Sequence, residues 1–349
     1  MSHTGAEPLS KNILVTGGAG YIGSHTCKVL AQAGYTPVTL DNLVYGHEWA
    51  VRFGPFVQAD VLDRAALDRV FAEFHPSAVL HFAAFTYVGE SVTDPGKYYR
   101  NNAVGTLTLL EAMRDHGCGR LVFSSSCAVY GLPQVLPLTE EHPQAPMNSY
   151  GVSKAMSERM MADFGLAHGL RSVCLRYFNA AGADPGGLLG EDHDPETHLI
   201  PLAVEAALGK RPPLQVFGSD YPTPDGTAVR DYVHVLDLAQ AHVAALRHLE
   251  ADAAPDSAPC AAFNLGTGQG ASVAEVLAAV KAVSGRAVPH SMAPRRAGDP
   301  PMLVAQAGLA ERVLGWRPAY TDIKDIIRTA WDWHARERAS LRTQEGRSS

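Results

Sequence analysis

Tyr150 and Lys154 stand four residues apart in Tyr150-Gly151-Val152-Ser153-Lys154, and upstream the apolar run Leu121-Val122-Phe123 ends in Ser124-Ser125-Ser126. On a helix, a spacing of four brings a phenol and an ammonium to one face. A free phenol has a pKa of about 10 and is a poor base at neutral pH. A fixed ammonium nearby favours the phenolate. Tyr150 could then take a proton from an alcohol while hydride leaves the same carbon, with Ser126 hydrogen-bonded to the reacting oxygen. Taken alone, Tyr-x-x-x-Lys is common on solvated helix faces, so the chemistry rests on what surrounds it.

A departing hydride needs an acceptor, and the N-terminal segment offers a place for one. The run Ile13-Leu14-Val15 leads into Gly17-Gly18-Ala19-Gly20-Tyr21-Ile22-Gly23, a G-x-x-G-x-x-G loop followed by a helix-like stretch. In a dinucleotide site such glycines serve a tight turn, backbone approach to a pyrophosphate and close helix-on-strand packing. Asp41, followed by Asn42, falls about 20 residues beyond the loop, where a carboxylate accepts hydrogen bonds from ribose hydroxyls. It would repel a 2′-phosphate, so NAD is expected over NADP. The plainer alternative for Asp41 is a turn cap shared with Asn42.

These residues need strands that end together and helices that start there. From Ile13 to about Phe123, short apolar runs (13–15, 37–40, 56–57, 78–82, 121–123) alternate with helix-like stretches (22–33, 65–74, 104–116). Runs this apolar suit strands buried on both faces, and the alternation implies a parallel sheet. A helix over 149–167 and a strand over 172–175 continue the pattern; residues 180–230, rich in Gly, Pro, Asp and Thr, read as loops and short elements. Further segments at 262–265 and 273–283 could rejoin the sheet. The expected fold is α/β, a Rossmann-type doubly wound parallel sheet with a smaller mixed α/β C-terminal substrate-binding region. The expected division is an NAD-binding domain over 11–179, a mainly substrate-binding region over 180–335, and flexible tails at 1–10 and 336–349.

Composition removes other classes. The net charge of −7 opposes non-specific nucleic-acid binding. No apolar run approaches the roughly 18 to 20 residues of a membrane span, and the N-terminus has no signal-like pattern. The five cysteines are scattered, which fits a reducing, cytoplasmic location and argues against disulfides or a cysteine zinc site. Fifteen histidines show no His-Glu-x-x-His pattern or comparable ligand spacing, so no metal is expected.

Together these motifs resemble the extended short-chain dehydrogenase/reductase family, and the similarity runs over roughly residues 11 to 335. It is carried also by His81-Phe82-Ala83-Ala84, Val88-Gly89-Glu90-Ser91, Leu175-Arg176-Tyr177-Phe178-Asn179, Gly190-Glu191-Asp192, Thr197-His198-Leu199-Ile200-Pro201, Val229-Arg230-Asp231-Tyr232 and Arg295-Arg296-Ala297-Gly298-Asp299. By position, the resemblance implies that Asp60 and Val61 hold the adenine and that Phe82, Ala83, Ala84 and Asn101 line the cofactor path. Ser124, Tyr150, Lys154 and Phe178 would surround the nicotinamide. Asn179, His198, Leu199, Gln215, Phe217, Arg230, Arg296, Asp299 and Leu303, with Ser126 and Tyr150, would meet a UDP sugar. Arg230 and Arg296 also suit a diphosphate on chemical grounds, because the guanidinium fork matches phosphate oxygens.

The implied activity is reversible interconversion of UDP-galactose and UDP-glucose, by transient oxidation at C4 with tightly bound NAD and hydride return to the other face. The family's usual homodimer, packed through helices near 104–116 and 150–167, is implied in the same way. Dehydratases of this family carry an Asp-Glu pair where this chain has Cys127-Ala128, and the related decarboxylases carry a Glu at the Ala128 position. Epimerisation is therefore expected, while Thr86 and Leu303 leave the sugar open to UDP-N-acetylhexosamines or UDP-pentoses such as UDP-xylose and UDP-arabinose. A non-catalytic NAD-binding protein would be expected to have lost part of the Ser126, Tyr150, Lys154 set.

Overall fold

A computed structural model describes residues 11–251, 259–296 and 299–336; of the tails expected at 1–10 and 336–349, every residue except Arg336 lies outside the described residues. Strand β1 (Asn12–Thr16) leads through the glycine loop into α1 (Tyr21–Gln32), β2 (Thr36–Asp41), β3 (Phe56–Gln58), α2 (Arg64–Phe74) and β4 (Ala78–His81). Two short helices, α3 (Val88–Thr93) and α4 (Pro95–Tyr98), and a π-helical stretch over Tyr99–Val104 then precede α5 (Gly105–Asp115), β5 (Arg120–Ser124), α6 (Ser149–His168) and β6 (Arg171–Tyr177).

After β7 (Asn179–Ala181) come α7 (Leu199–Ala207), β8 (Leu214–Phe217), β9 (Val229–Arg230), β10 (Tyr232–His234), α8 (Val235–Glu250) and β11 (Cys260–Leu265). The rest comprises β12 (Ala271–Ser272), α9 (Val273–Ser284), β13 (His290–Ala293), β14 (Met302–Leu303), α10 (Gly308–Leu314) and α11 (Ile323–Ala335).

Seven strands form one parallel sheet in the order β11-β6-β5-β4-β1-β2-β3. In β1, Ile13 and Val15 enter one apolar core and Leu14 the other, as the two-residue period of a strand requires. On the first side α1 and α8 bury Cys27, Leu30, Leu238 and Leu246; on the second, α2, α5 and α6 bury Leu67, Val70, Leu109, Met113 and Met161. Truncating Leu14 to alanine between these layers costs about 2–5 kcal/mol. β1 lies between β2 and β4, so the order reverses beside the glycine loop. A crevice opens at such a switch point.

β11 and α8 bring the second half of the chain back to this sheet. A third core, holding Ile200, Val204, Val216, Val276, Val280, Ile326 and Ile327, joins α7, α9, α11 and β8. α7 lies in the stretch read from sequence as loops. Its Pro201 falls in the first turn, where proline is tolerated. Residues 88–103, unassigned by periodicity, are helical in three short pieces, the last of them reaching Val104, tied down by Tyr98 Oη donating to the Tyr87 carbonyl and Asn102 bonding the Phe85 backbone. Arg336, grouped with the tail by sequence, donates through Nη1 to the Gly187 carbonyl at 2.9 Å.

Candidate active site

The crevice is a cavity of about 940 Å³. Its floor is built by β5 and α6. Asn148 caps α6, its side chain accepting from the Gly151 N–H at 2.8 Å, so Tyr150 and Lys154 fall in the first two turns, above the end of β5. Removing such a cap costs about 1 kcal/mol. Ser124, Ser126, Tyr150 and Lys154 all line the cavity. Lys154 Nζ donates to the Ser124 carbonyl at 2.7 Å and lies 4.7 Å over the Phe123 ring.

Behind the floor lies a buried ion pair that sequence reading missed. Arg176 grips Glu158 with Nη2–Oε2 at 2.6 Å and Nε–Oε1 at 3.0 Å. Ser125 Oγ donates to Glu158 Oε1 at 2.6 Å, so the pair links α6, one turn beyond Lys154, to the strand end that carries Ser126. Asn102, in the π-helical stretch, donates to Ser153 Oγ at 3.1 Å and to the Phe85 carbonyl at 3.0 Å, and accepts from the Phe85 N–H at 2.9 Å. Asn101, its neighbour, lines the cavity. π-helical insertions of this kind are frequent at functional sites.

The sequence reading gave Lys154 the task of lowering the Tyr150 pKa. In the folded chain burial outweighs that effect: the Tyr150 phenol is pushed up by desolvation, and contact with the Ser126 hydroxyl only partly opposes it. Burial lowers Lys154 to about 7, with the Glu158 charge pulling the other way. Lys154 Nζ is 5.9 Å from the Tyr150 ring centre and is engaged by Ser124, so its charge acts from a distance.

The other half of the cavity suits a dinucleotide. Gly17 has φ of +74°, and a Cβ there would lie 2.6 Å from Ala83 N; one on Gly23 would lie 2.2 Å from the Gly17 carbonyl. Gly20 caps α1 without a side chain, and no acidic residue occupies that helix's first turn. The N–H groups and dipole of α1 therefore face the cavity uncompensated, as an anion cradle requires. Gly17, Gly20, Tyr21, Ile22, Gly23, Asp41, Asn42, Val61, Phe82, Ala83, Ala84 and Phe178 line this side. Asp41 accepts from Ala19 N at 3.0 Å and Leu43 N at 2.9 Å, holding the turn while also bordering the cavity. Its pKa is raised by burial.

At the opposite end stand Asn179, His198, Arg230, Arg296, Asp299, Leu303 and Thr86. Arg230 Nη2 pairs with Asp299 Oδ1, and Nη1 donates to the Val229 carbonyl at 2.7 Å. Four expected site residues stand back from the cavity wall. Asp60 accepts from Asn42 Nδ2 at 2.9 Å. Phe217 lies under the Arg296 guanidinium, 4.0 Å from its ring centre. Leu199 opens α7 next to His198, and Gln215 is exposed on β8.

The chain's match to known proteins agrees with this geometry. A Rossmann-type sheet with a glycine cradle and a Tyr/Lys/Ser floor defines a nucleotide-dependent oxidoreductase-like enzyme class. Residues 13–266 match the NAD dependent epimerase/dehydratase family, and the chain belongs to that family. It is 56% identical to the UDP-glucose 4-epimerase of Rhizobium leguminosarum bv. trifolii over 326 residues, 93% of this chain and 98% of that protein. The NAD complex of UDP-glucose 4-epimerase from Brucella ovis superposes with a TM-score of 0.89 at 54% identity, covering 92% of this chain and 97% of the other. The Bifidobacterium longum UDP-glucose 4-epimerase, in complex with NAD+ and UDP, gives 0.87 at 41% identity over 93% and 98%.

Proposed function

We propose that this chain is an NAD-dependent isomerase that interconverts UDP-galactose and UDP-glucose at C4 of the sugar. The glycine loop, Asp41 and Val61 would hold the NAD, with Asp60 bracing Asn42; bound there, the cofactor would supply hydride acceptance and return. Tyr150 removes the 4-hydroxyl proton and later returns it, Ser126 hydrogen-bonds the reacting oxygen, and Lys154 supplies positive charge to the floor. Arg230 and Arg296 hold the diphosphate while the 4-keto sugar turns over, so binding energy sits away from the reacting carbon.

The observation that carries epimerisation over elimination is how the cavity's carboxylates are engaged. Among the described lining residues these are Asp41, Glu90, Glu191 and Asp299. Asp41 accepts backbone N–H groups, Glu90 bonds Lys97 and Tyr98, Glu191 bonds His193 and His198, and Asp299 pairs with Arg230. Beside Ser126 stand Cys127 and Ala128, with no acid to drive loss of water from a keto sugar.

Leu303 and Thr86 border the same cavity, and the intermediate bulk of leucine supports a second reading, C4 epimerisation of a UDP-N-acetylhexosamine or a UDP-pentose. Incubating the purified protein with each UDP sugar, without added cofactor, and following interconversion decides between them. Turnover of UDP-galactose supports the lead; none, with exchange of another UDP sugar, replaces it. Denaturing the same preparation should release NAD.

The 180–335 region supplies Arg230, Arg296 and the other sugar-end residues, which supports its reading as mainly substrate-binding. Exposed Val104, Met156 and Leu166, at α5 and on α6, support a homodimer through those helices. A cytoplasmic location is supported by five free cysteines; among the described residues no helix is long and apolar enough to cross a membrane.

A further inference from the structure

The loop between β7 and α7 gathers Glu191, His193, Glu196 and His198, whose candidate ligand atoms all lie within 4.8 Å of one another. Glu191 and Glu196 are buried. Both imidazoles turn Nδ1 to the same two carboxylates. His193 Nδ1 is 3.1 Å from Glu191 Oε1 and 3.7 Å from Glu196 Oε2; His198 Nδ1 is 2.8 Å from Glu191 Oε1 and 3.2 Å from Glu196 Oε1.

A tetrahedral zinc with bonds of about 2.0–2.1 Å holds neighbouring ligand atoms roughly 3.3 Å apart. With Glu196 Oε2 as the ligand atom, the three separations among the ligand atoms, 2.8, 3.1 and 3.7 Å, bracket that edge length. The longest, 3.7 Å, is beyond a hydrogen bond but ordinary for two ligands of one ion. Ligation requires both imidazoles to give up Nδ1 protons; the two carboxylates and two neutral imidazoles would then carry a charge of −2, which one dication neutralises. Nitrogen and oxygen donors in a set of four suit zinc among the common divalent metals.

We infer that Glu191, His193, Glu196 and His198 form a structural zinc site that closes this loop over the sugar end of the cavity. This revises the metal-free expectation from sequence, and it stands whichever UDP sugar is turned over. Four protein ligands leave no open position, so the ion staples the loop and takes no part in the chemistry. Its outer contacts fit that role. Glu196 Oε1 accepts from Thr197 N at 2.7 Å and His198 N at 2.8 Å, which leaves Oε2 as a ligand atom. Tyr87 Oη, from the cavity wall, donates to the Pro195 carbonyl at 2.8 Å and ties the loop down. With Nδ1 of His198 ligated, its Nε2 keeps the proton and serves as a donor.

The test is metal analysis of the untagged full-length protein, purified without chelators, together with a zinc titration of dipicolinate-stripped protein against a chromophoric chelator. One zinc per chain and submicromolar binding are expected, and cobalt loaded instead should show the visible band of a tetrahedral site. Glu196→Gln and His193→Ala should each reduce zinc to below about a tenth per chain, while the distant His116→Ala keeps it. Stripped wild-type protein that binds zinc no tighter than roughly micromolar, or variants that retain full zinc, would overturn the assignment. The wild-type titration decides the matter even if the variants fail to fold.

Discussion

The Lys154 ammonium donates to the Ser124 carbonyl at 2.7 Å, which fixes the first turns of α6 to the end of β5 and buries a charge beside the Tyr150 ring. That burial lowers Lys154 to about 7 from an ordinary 10.5. The unfolded chain therefore binds more protons between those values, and stability rises with pH across that window. Lys154→Met should stabilise the nucleotide-free chain at pH 7 by about 1–3 kcal/mol and lose most of that gain by pH 10. Denaturant unfolding at the two pH values measures this, and an equal gain at both would refute it. The variant should also lose most of its epimerase activity.

Tyr150→Phe removes the oxygen proposed to transfer the proton and leaves the ring packed. kcat should fall by about 10²–10⁴-fold, with NAD content on denaturation unchanged. Sugar turnover at the wild-type rate would show that another group moves the proton.

Asp41 borders the dinucleotide side of the cavity and also holds the Leu43 and Ala19 N–H groups. Asp41→Asn keeps acceptors for that turn and removes the negative charge. The wild-type preference for NAD over NADP should shrink by about tenfold or more, read from the affinities of both cofactors. Wild-type protein that prefers NADP contradicts the assignment.

Burial lowers His25 and His242 to about 4, and His81 and His234 to about 3, from an ordinary 6.5. They stay neutral in the fold while the unfolded chain takes up protons. Their contribution is thus complete above pH 6.5 and is lost as pH falls toward 4 and below. Stability should decline across that range, and the decline should be shallower by about one proton in His242→Leu. Parallel pH profiles of unfolding free energy for the two proteins would rule this out.

Arg176 and Glu158 hold each other in the interior behind the floor of the cavity. Breaking one partner leaves an uncompensated buried charge, so Glu158→Gln should destabilise the protein by about 3–5 kcal/mol. Replacing both residues with apolar ones of similar volume should recover part of that loss, since no lone charge remains. A single variant as stable as the wild type would mean that water reaches the pair.

The sequence by itself determined the features that depend on local pattern. Apolar runs fixed the strands from Ile13 to Leu175, because a strand covered on both faces must be apolar throughout. The glycine loop, Asp41 and the Tyr150/Lys154 spacing were legible because strand ends and helix faces convert sequence distance directly into position. Tertiary structure decided the rest. α7 carries an apolar run, Leu199 to Ala207, that is obscured by the Gly- and Pro-rich stretch around it, and the short helices over 88–98 are held by packing. The Arg176–Glu158 pair joins α6 to β6 across the core, and the Tyr150 pKa is set by how much water the fold removes. The same holds for Glu191, His193, Glu196 and His198: no helical or strand period aligns them. Only the folding of their loop turns four donors toward one point.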